Sequence, residues 1–103
     1  MGSDWPVTSA NVMWQISVAV TRTQVGHPET GVFPPEERLS LDQALAAFTE
    51  GSSFVNHLDD RGRIADGLAA DLVVLSDDPY RASDLSTIGV DMTVVEGRVV
   101  YER

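Results

Sequence analysis

Cysteine is absent from the 103 residues, which excludes a disulfide framework, a thiolate nucleophile and a cysteine-ligated metal. Lysine is absent as well, so all seven cations are arginines, set against sixteen acidic residues for a formal charge of −9. So few cations cannot assemble the basic patch that nucleic acid or an anionic membrane surface demands. No apolar run approaches bilayer-spanning length, and the N-terminus lacks the basic region and apolar stretch of a signal peptide. The expectation is a soluble cytoplasmic chain with no nucleic-acid partner and no membrane partner. Internal repeats and low-complexity tracts are missing too. Among reaction motifs there is no His-x-His pair, no His-Glu-x-x-His, no phosphate-binding glycine loop and no Gly-x-Ser-x-Gly elbow.

What is present is enough apolar content, 43%, for one small globular domain. The most regular stretch runs from Gly67 to Leu75. Leu72, Val73, Val74 and Leu75 form an unbroken apolar run, bounded by Gly67 and by the turn residues Asp77-Asp78-Pro79. Such a short, uniform run predicts a strand covered on both faces. Met92–Val95 and Arg98–Tyr101 follow, separated only by Glu96-Gly97, the spacing of a two-residue hairpin. The cover for these strands must come from the first two-thirds of the chain or from something outside it.

Upstream, Pro6 pushes Trp5 towards extended geometry, and Met1-Gly2-Ser3 has the composition of a cloning scar. Thr8 and Ser9 offer an N-cap for a segment from about Ala10 to Arg22. Val12, Met13, Ile16, Ala19 and Val20 share a helical face there, while Trp14, Ile16, Val18 and Val20 alternate as in a strand. Periodicity leaves the two readings close to balance, and helix is the choice. Gln24 to Pro35, with two Gly and three Pro, is a loop. Ser40-Leu41-Asp42-Gln43 is a capping-box signature. Leu41, Ala44, Leu45 and Phe48 then line one face of a helix that Gly51 is placed to end. Ser52 or Ser53 is the expected cap of a second short helix carrying Phe54, Val55 and Leu58, giving an αα corner at Gly51. At Asp59-Asp60-Arg61-Gly62 the composition turns β-rich, so the boundary falls between segments 1–59 and 60–103.

Side chains able to carry chemistry are few. His57 sits near the end of the second short helix, where an imidazole meets exposed carbonyls. His27, between Gly26 and Pro28, reads as a solvated loop residue. Asp59-Asp60 and Asp77-Asp78 lack the ligand spacing of a calcium loop and suit Asx turns. Trp5 and Trp14 read as core or interface anchors. Asp4 has the surroundings of a turn residue, and one carboxylate alone specifies no reaction.

In order along the chain, Gly2-Ser3-Asp4-Trp5-Pro6-Val7, Ala19-Val20-Thr21-Arg22, Pro35-Glu36-Glu37-Arg38-Leu39-Ser40 and Val55-Asn56-His57-Leu58 resemble the C-terminal part of the metal-dependent amidohydrolases. The amidohydrolase-3 group, with its YtcJ-like proteins, is the nearest in pattern. Gly62 to Leu75 and the ending Thr93 to Tyr101 complete the likeness, which makes Gly2-Ser3 look native. Leu68 stands where the family often has lysine, a difference expected only at the surface.

The resemblance implies an α+β chain. Two or three helices would come from the end of a (β/α)8 barrel, beside a small β-sheet of the composite β-sandwich domain. Residues 1–59 would be the tail of the barrel and 60–103 the strands of the sandwich. It implies hydrolysis of non-peptide carbon–nitrogen bonds through a metal-activated water, with zinc or another divalent ion in the full-length family. Asp4 would end the eighth barrel strand, as the carboxylate that binds or approaches the metal and passes a proton to the leaving nitrogen. The family's other ligands lie upstream, and a barrel needs roughly 200 residues or more. The isolated chain is therefore expected to be inactive and to bind no metal, with a small-molecule substrate only for the full barrel. Shorn of the barrel, the helix faces of Ile16, Val20, Leu45 and Phe48 would lack cover and drive a homo-oligomer, a dimer in the simplest case. The rival reading is a stand-alone structural module that pairs with a separate barrel chain or with itself. Spacing does not support a new metal site assembled in an oligomer from Asp4, His27 and His57.

Overall fold

The computed structural model describes residues 4–31 and 34–103, so the status of Gly2-Ser3 lies outside the described residues. Along these residues run α1 (Val12–Thr21), α2 (Leu41–Phe48), α3 (Glu50–Val55), β1 (Leu72–Leu75), β2 (Val90–Val95) and β3 (Arg98–Glu102). Short 3-10 turns occupy Pro28–Thr30, Pro35–Glu37 and Leu85–Thr87. The class is α+β, as expected.

The first helix resolves the balance between helix and strand. Its cap is Asn11 rather than Thr8 or Ser9: the Asn11 side chain accepts from the Met13 and Trp14 amides, while Ser9 Oγ accepts from the Asn11 amide at 3.1 Å. An Asn cap two residues on wins because its carbonyl reaches two of the orphan first-turn donors at once. Arg22, in the left-handed region at φ 57°, closes the other end with its amide on the Val18 carbonyl.

The capping box before α2 forms as its sequence predicts. Ser40 Oγ accepts from the Gln43 amide at 3.1 Å, and Gln43 Oε1 accepts from the Ser40 amide at 2.9 Å. Ser40→Ala is expected to cost about 1 kcal/mol, read as a lower urea midpoint with an unchanged m-value.

Beyond α2 the expectation needs correcting. The helix stops at Thr49, whose hydroxyl and amide both turn back to the Leu45 carbonyl, and Gly51 lies inside α3. Neither Ser52 nor Ser53 caps α3; Thr49 stands at its start without a side-chain cap. The corner therefore turns at Thr49, where a β-branched hydroxyl can satisfy a carbonyl of its own helix. At the far end His57 takes the left-handed position at φ 58°. Its amide bonds Phe54 O and the Leu58 amide bonds Ser53 O, the double closure of a Schellman end.

The sheet has the order β1-β2-β3, antiparallel throughout. Glu96 and Gly97 both have positive φ, 50° and 76°, which is the two-residue turn that suits a twisted hairpin. Val94 faces Val99 and Thr93 faces Tyr101, so Val100 is an extra residue that bulges β3.

Met13, Ile16, Ala19, Ala44, Leu85 and Ile88 form the buried cluster. It joins α1 and α2 to the Leu85–Thr87 turn, so residues from both sides of position 59 share it. Ile16 is 2% exposed, and Val20, Leu45 and Phe48 pack against the cluster. The expectation that these four lack cover is therefore overturned, because α1 and α2 cover each other. The uncovered apolar surface is elsewhere. Leu72, Val73 and Val74 are exposed, as are Val99, Val100 and Tyr101, so the first two-thirds of the chain does not enclose the sheet. Trp5 and Trp14 are also exposed rather than core, although Trp14 Nε1 donates to the Ser86 carbonyl at 3.1 Å.

The dimensions agree with this openness. The radius of gyration is 14.5 Å, against about 13 Å for a self-contained domain of this length. The accessible surface is 7322 Å² for 11.2 kDa, where a folded monomer of that mass exposes about 5,700 Å². Among the described residues no helix is long and apolar enough to cross a membrane.

Candidate functional site

Asp4 lies ahead of α1, exposed to solvent. Its φ is 55°, a left-handed value that aspartate tolerates better than most residues. The Asp4 carbonyl accepts from the Val7 amide at 2.8 Å, closing a tight turn across Trp5 and Pro6. The reading of Asp4 as a turn residue thus describes its backbone, and the residue is exposed.

Nothing in the described residues converges on that carboxylate as a ligand set. No group of three or more His, Cys, Asp or Glu able to hold a metal occurs among them. His27 Nδ1 lies 3.0 Å from Glu29 Oε1, and His57 serves the end of α3. Asp4, His27 and His57 are not brought together.

The best-organised polar cluster was not singled out by the sequence reading. It centres on Arg61, which that reading left inside a turn. Arg61 Nε donates to Asp60 Oδ1 at 2.9 Å, Nη1 to Asp71 Oδ2 at 3.0 Å and Nη2 to Glu96 Oε1 at 3.5 Å. Asp71 Oδ1 in turn accepts from the Glu96 amide at 2.8 Å, and the Gly97 amide donates to the Ala70 carbonyl. One guanidinium therefore ties the start of β1 to the hairpin tip, using the fork geometry that lysine lacks. Only the approach of residues 25 and 35 positions apart reveals the cluster, which is why local spacing could not.

The hydrogen bond from Arg61, reinforced by its charge, holds the Asp60 carboxyl below the usual carboxylate range. The same bond and the Asp60 and Asp71 charges push the Arg61 guanidinium further up. A lowered folded-state value means that the Asp60 contribution is present above the unfolded-chain value of about 4. It is lost as pH falls through the folded value. The Asp60 carboxyl resonance is expected to titrate below the usual carboxylate range in an NMR experiment, and Arg61→Met to bring it back towards that range. An Asp60 midpoint that the substitution leaves in place would contradict the clamp.

A second tie runs from the Tyr80 hydroxyl, which donates to Asp42 Oδ1 and so joins the loop after β1 to the first turn of α2. That bond raises the Tyr80 hydroxyl above its usual range. Asp78 accepts from the Tyr80 amide, the Asx turn expected there, whereas Asp60 spends its side chain on Arg61.

Beside the clamp an open groove of about 520 Å³ separates the α2–α3 corner from β1. Phe48, Ser52, Arg61, Ile64, Leu72 and Val73 are among its walls. Gly62 crosses α3 so closely that a β-carbon there would stand 2.6 Å from Ser53 Oγ and 2.9 Å from Glu50 Cα. With φ at 97°, that position admits only glycine without displacement.

The amidohydrolase family matches residues 1–101. YtcJ of Bacillus subtilis (strain 168), which carries the name of an amidohydrolase, is 34% identical over 106 residues, covering 99% of this chain and 20% of that protein. The Arabidopsis thaliana protein LONG AFTER FAR-RED 3 is 34% identical over 104 residues, covering 98% of this chain and 17% of its own length. The chain thus spans about a fifth of the length of the curated relatives it matches. No solved structure matches it.

Proposed function

The chain belongs to the amidohydrolase family, and from that premise we propose that it is the C-terminal part of a metal-dependent amidohydrolase acting on non-peptide carbon–nitrogen bonds. In this reading α1, α2 and α3 belong to the outer ring of a barrel, and β1, β2 and β3 to the smaller sandwich beside it. The observation that carries it is the unbroken family match from residue 1 to 101 in a chain that spans a fifth of its relatives. The surface supports it independently: roughly 1,600 Å² more than a monomer of this mass exposes is as much as a standard protein interface buries in total.

The residues described here do not fit a divalent ion by themselves. One exposed carboxylate at Asp4, with no ligand group around it, falls short of the three or four protein donors that such a site takes. Asp4 is instead the carboxylate this chain lends to a centre whose other donors lie outside it. Its contribution there is to hold a proton taken from the attacking water and return it to the leaving nitrogen. The same uncovered sheet supports a second reading, in which the chain pairs with a separate barrel chain or with a second copy of itself. A concentration-dependent dimer in sedimentation favours self-pairing, and a monomer at all concentrations removes it.

The test is a hybrid in which this chain replaces the matched stretch of the Bacillus YtcJ. The hybrid is expected to fold, retain divalent metal and hydrolyse carbon–nitrogen substrates at the level of intact YtcJ assayed beside it, while the 103-residue chain neither retains metal nor hydrolyses them. A folded, metal-loaded hybrid with no activity on any YtcJ substrate would refute the assignment.

A further inference from the structure

Apolar burial does not fix the turn that carries Asp4. Trp5 and Val7 are 68% and 76% exposed, and of residues 4–10 Ser9 alone is not exposed. Ser9 is also where the segment is tied to α1 and its cap. Its hydroxyl oxygen accepts from the Asn11 amide at 3.1 Å, and its carbonyl accepts from Gln15 Nε2 at 2.6 Å.

The second of these bonds has a fixed polarity. A main-chain carbonyl only accepts, so the Gln15 group that meets it is the amide nitrogen. Asn11 cannot stand in for Gln15, because its own side chain is committed to the Met13 and Trp14 amides. From Ser9 the chain runs back through Thr8 to Val7, whose amide donates to the Asp4 carbonyl at 2.8 Å. Gln15 is thus joined to the Asp4 backbone by two hydrogen bonds and the short length of chain between them.

The other end of the same side chain has no partner. Gln15 Oε1 is buried, and no described residue donates to it. An unmet buried acceptor is unfavourable and calls for an explanation. A lysine ammonium would hold the Ser9 carbonyl without leaving one, since it has donors only. An amide suits the position when both of its ends are used, which places a donor from the rest of the polypeptide at the oxygen.

We propose that Gln15 is a positioning residue for Asp4: its nitrogen holds the Asp4 turn to α1 through the Ser9 carbonyl, and its oxygen takes a donor from outside the described residues. This rests on the reading of Asp4 as the carboxylate lent to an amidohydrolase centre. Gln15 acts only through that carboxylate. Misplacing a reacting group by about 1 Å can lower a rate by about 10²-fold, so the brace bears on turnover rather than on substrate binding.

The YtcJ hybrid distinguishes this from a merely structural bond. In an active hybrid Gln15→Met, which keeps the length of the side chain and removes both polar ends, is expected to lower kcat by about 10- to 100-fold. KM should stay within about twofold. Gln15→Glu keeps an acceptor but loses the donor, and is expected to match Gln15→Met. Added to Asp4→Asn, Gln15→Met is expected to lower kcat by less than about twofold further, because residues that act as a unit do not add. An unchanged kcat in either single variant, or a full second loss on top of Asp4→Asn, overturns the inference. A hybrid without turnover counts against the amidohydrolase reading, and the brace is then judged in the 103-residue chain by backbone amide relaxation. Gln15→Met is expected to drop the Val7 and Thr8 order parameters from about 0.85 to below about 0.6, with the helix from Val12 to Thr21 unchanged. Val7 and Thr8 amides that stay as rigid in the variant as in the parent overturn the inference.

Discussion

Ile16→Ala is expected to lower the stability of the helical half by about 3 kcal/mol, within the range for truncating a fully buried aliphatic side chain. Ile16 is 2% exposed and sits, among the described residues, with five other buried apolar residues, Met13, Ala19, Ala44, Leu85 and Ile88. Small domains hold roughly 5–15 kcal/mol in all, and this one leaves much of its sheet uncovered, so the substitution takes a large share of the total. Tryptophan fluorescence follows it directly, because Trp14 shares α1 with Ile16 and is tied to Ser86. Val12→Ala on the exposed side of the same helix is the control, with a shift within about 0.5 kcal/mol. Equal shifts for the two would mean that the α1–α2 contact does not hold the fold.

Asp4→Asn in the YtcJ hybrid is expected to lower kcat by about 10²–10⁴, the size of a lost general acid–base group. Asparagine keeps the shape and the backbone turn, in which only the Asp4 carbonyl takes part, but it can neither take nor return a proton. The loss should therefore come without a change in unfolding midpoint. Metal content separates the two roles a carboxylate can have at such a centre: retained metal assigns Asp4 to proton transfer, and depleted metal assigns it to ligation. Full activity in the Asp4→Asn hybrid would remove the residue from the site.

Local chemistry was the legible part of this chain. The Ser40–Gln43 capping box and the Glu96-Gly97 hairpin are encoded within four residues, and both form as their residue types require. The errors have physical causes. Asn11 outcompetes Ser9 as a cap because it reaches two donors, and Thr49 ends α2 before Gly51 can because its hydroxyl bonds back to Leu45. The apolar run at Leu72–Leu75 does make a strand, but periodicity reports what a strand is built to touch, not whether the partner is on the same chain. For the site, Asp4 was reached only through family likeness, since an exposed carboxylate in a turn has no local signature of catalysis. The Arg61 clamp was missed because Asp71 and Glu96 come to it from distant positions.

The central claim is that this chain completes a larger body and holds no reactive centre of its own. Metal analysis of the purified 103-residue chain, equilibrated with zinc and then dialysed, tests it most directly. The account predicts far less than one equivalent retained, with no difference between the parent chain and Asp4→Ala. One tightly held equivalent that disappears in Asp4→Ala would contradict it.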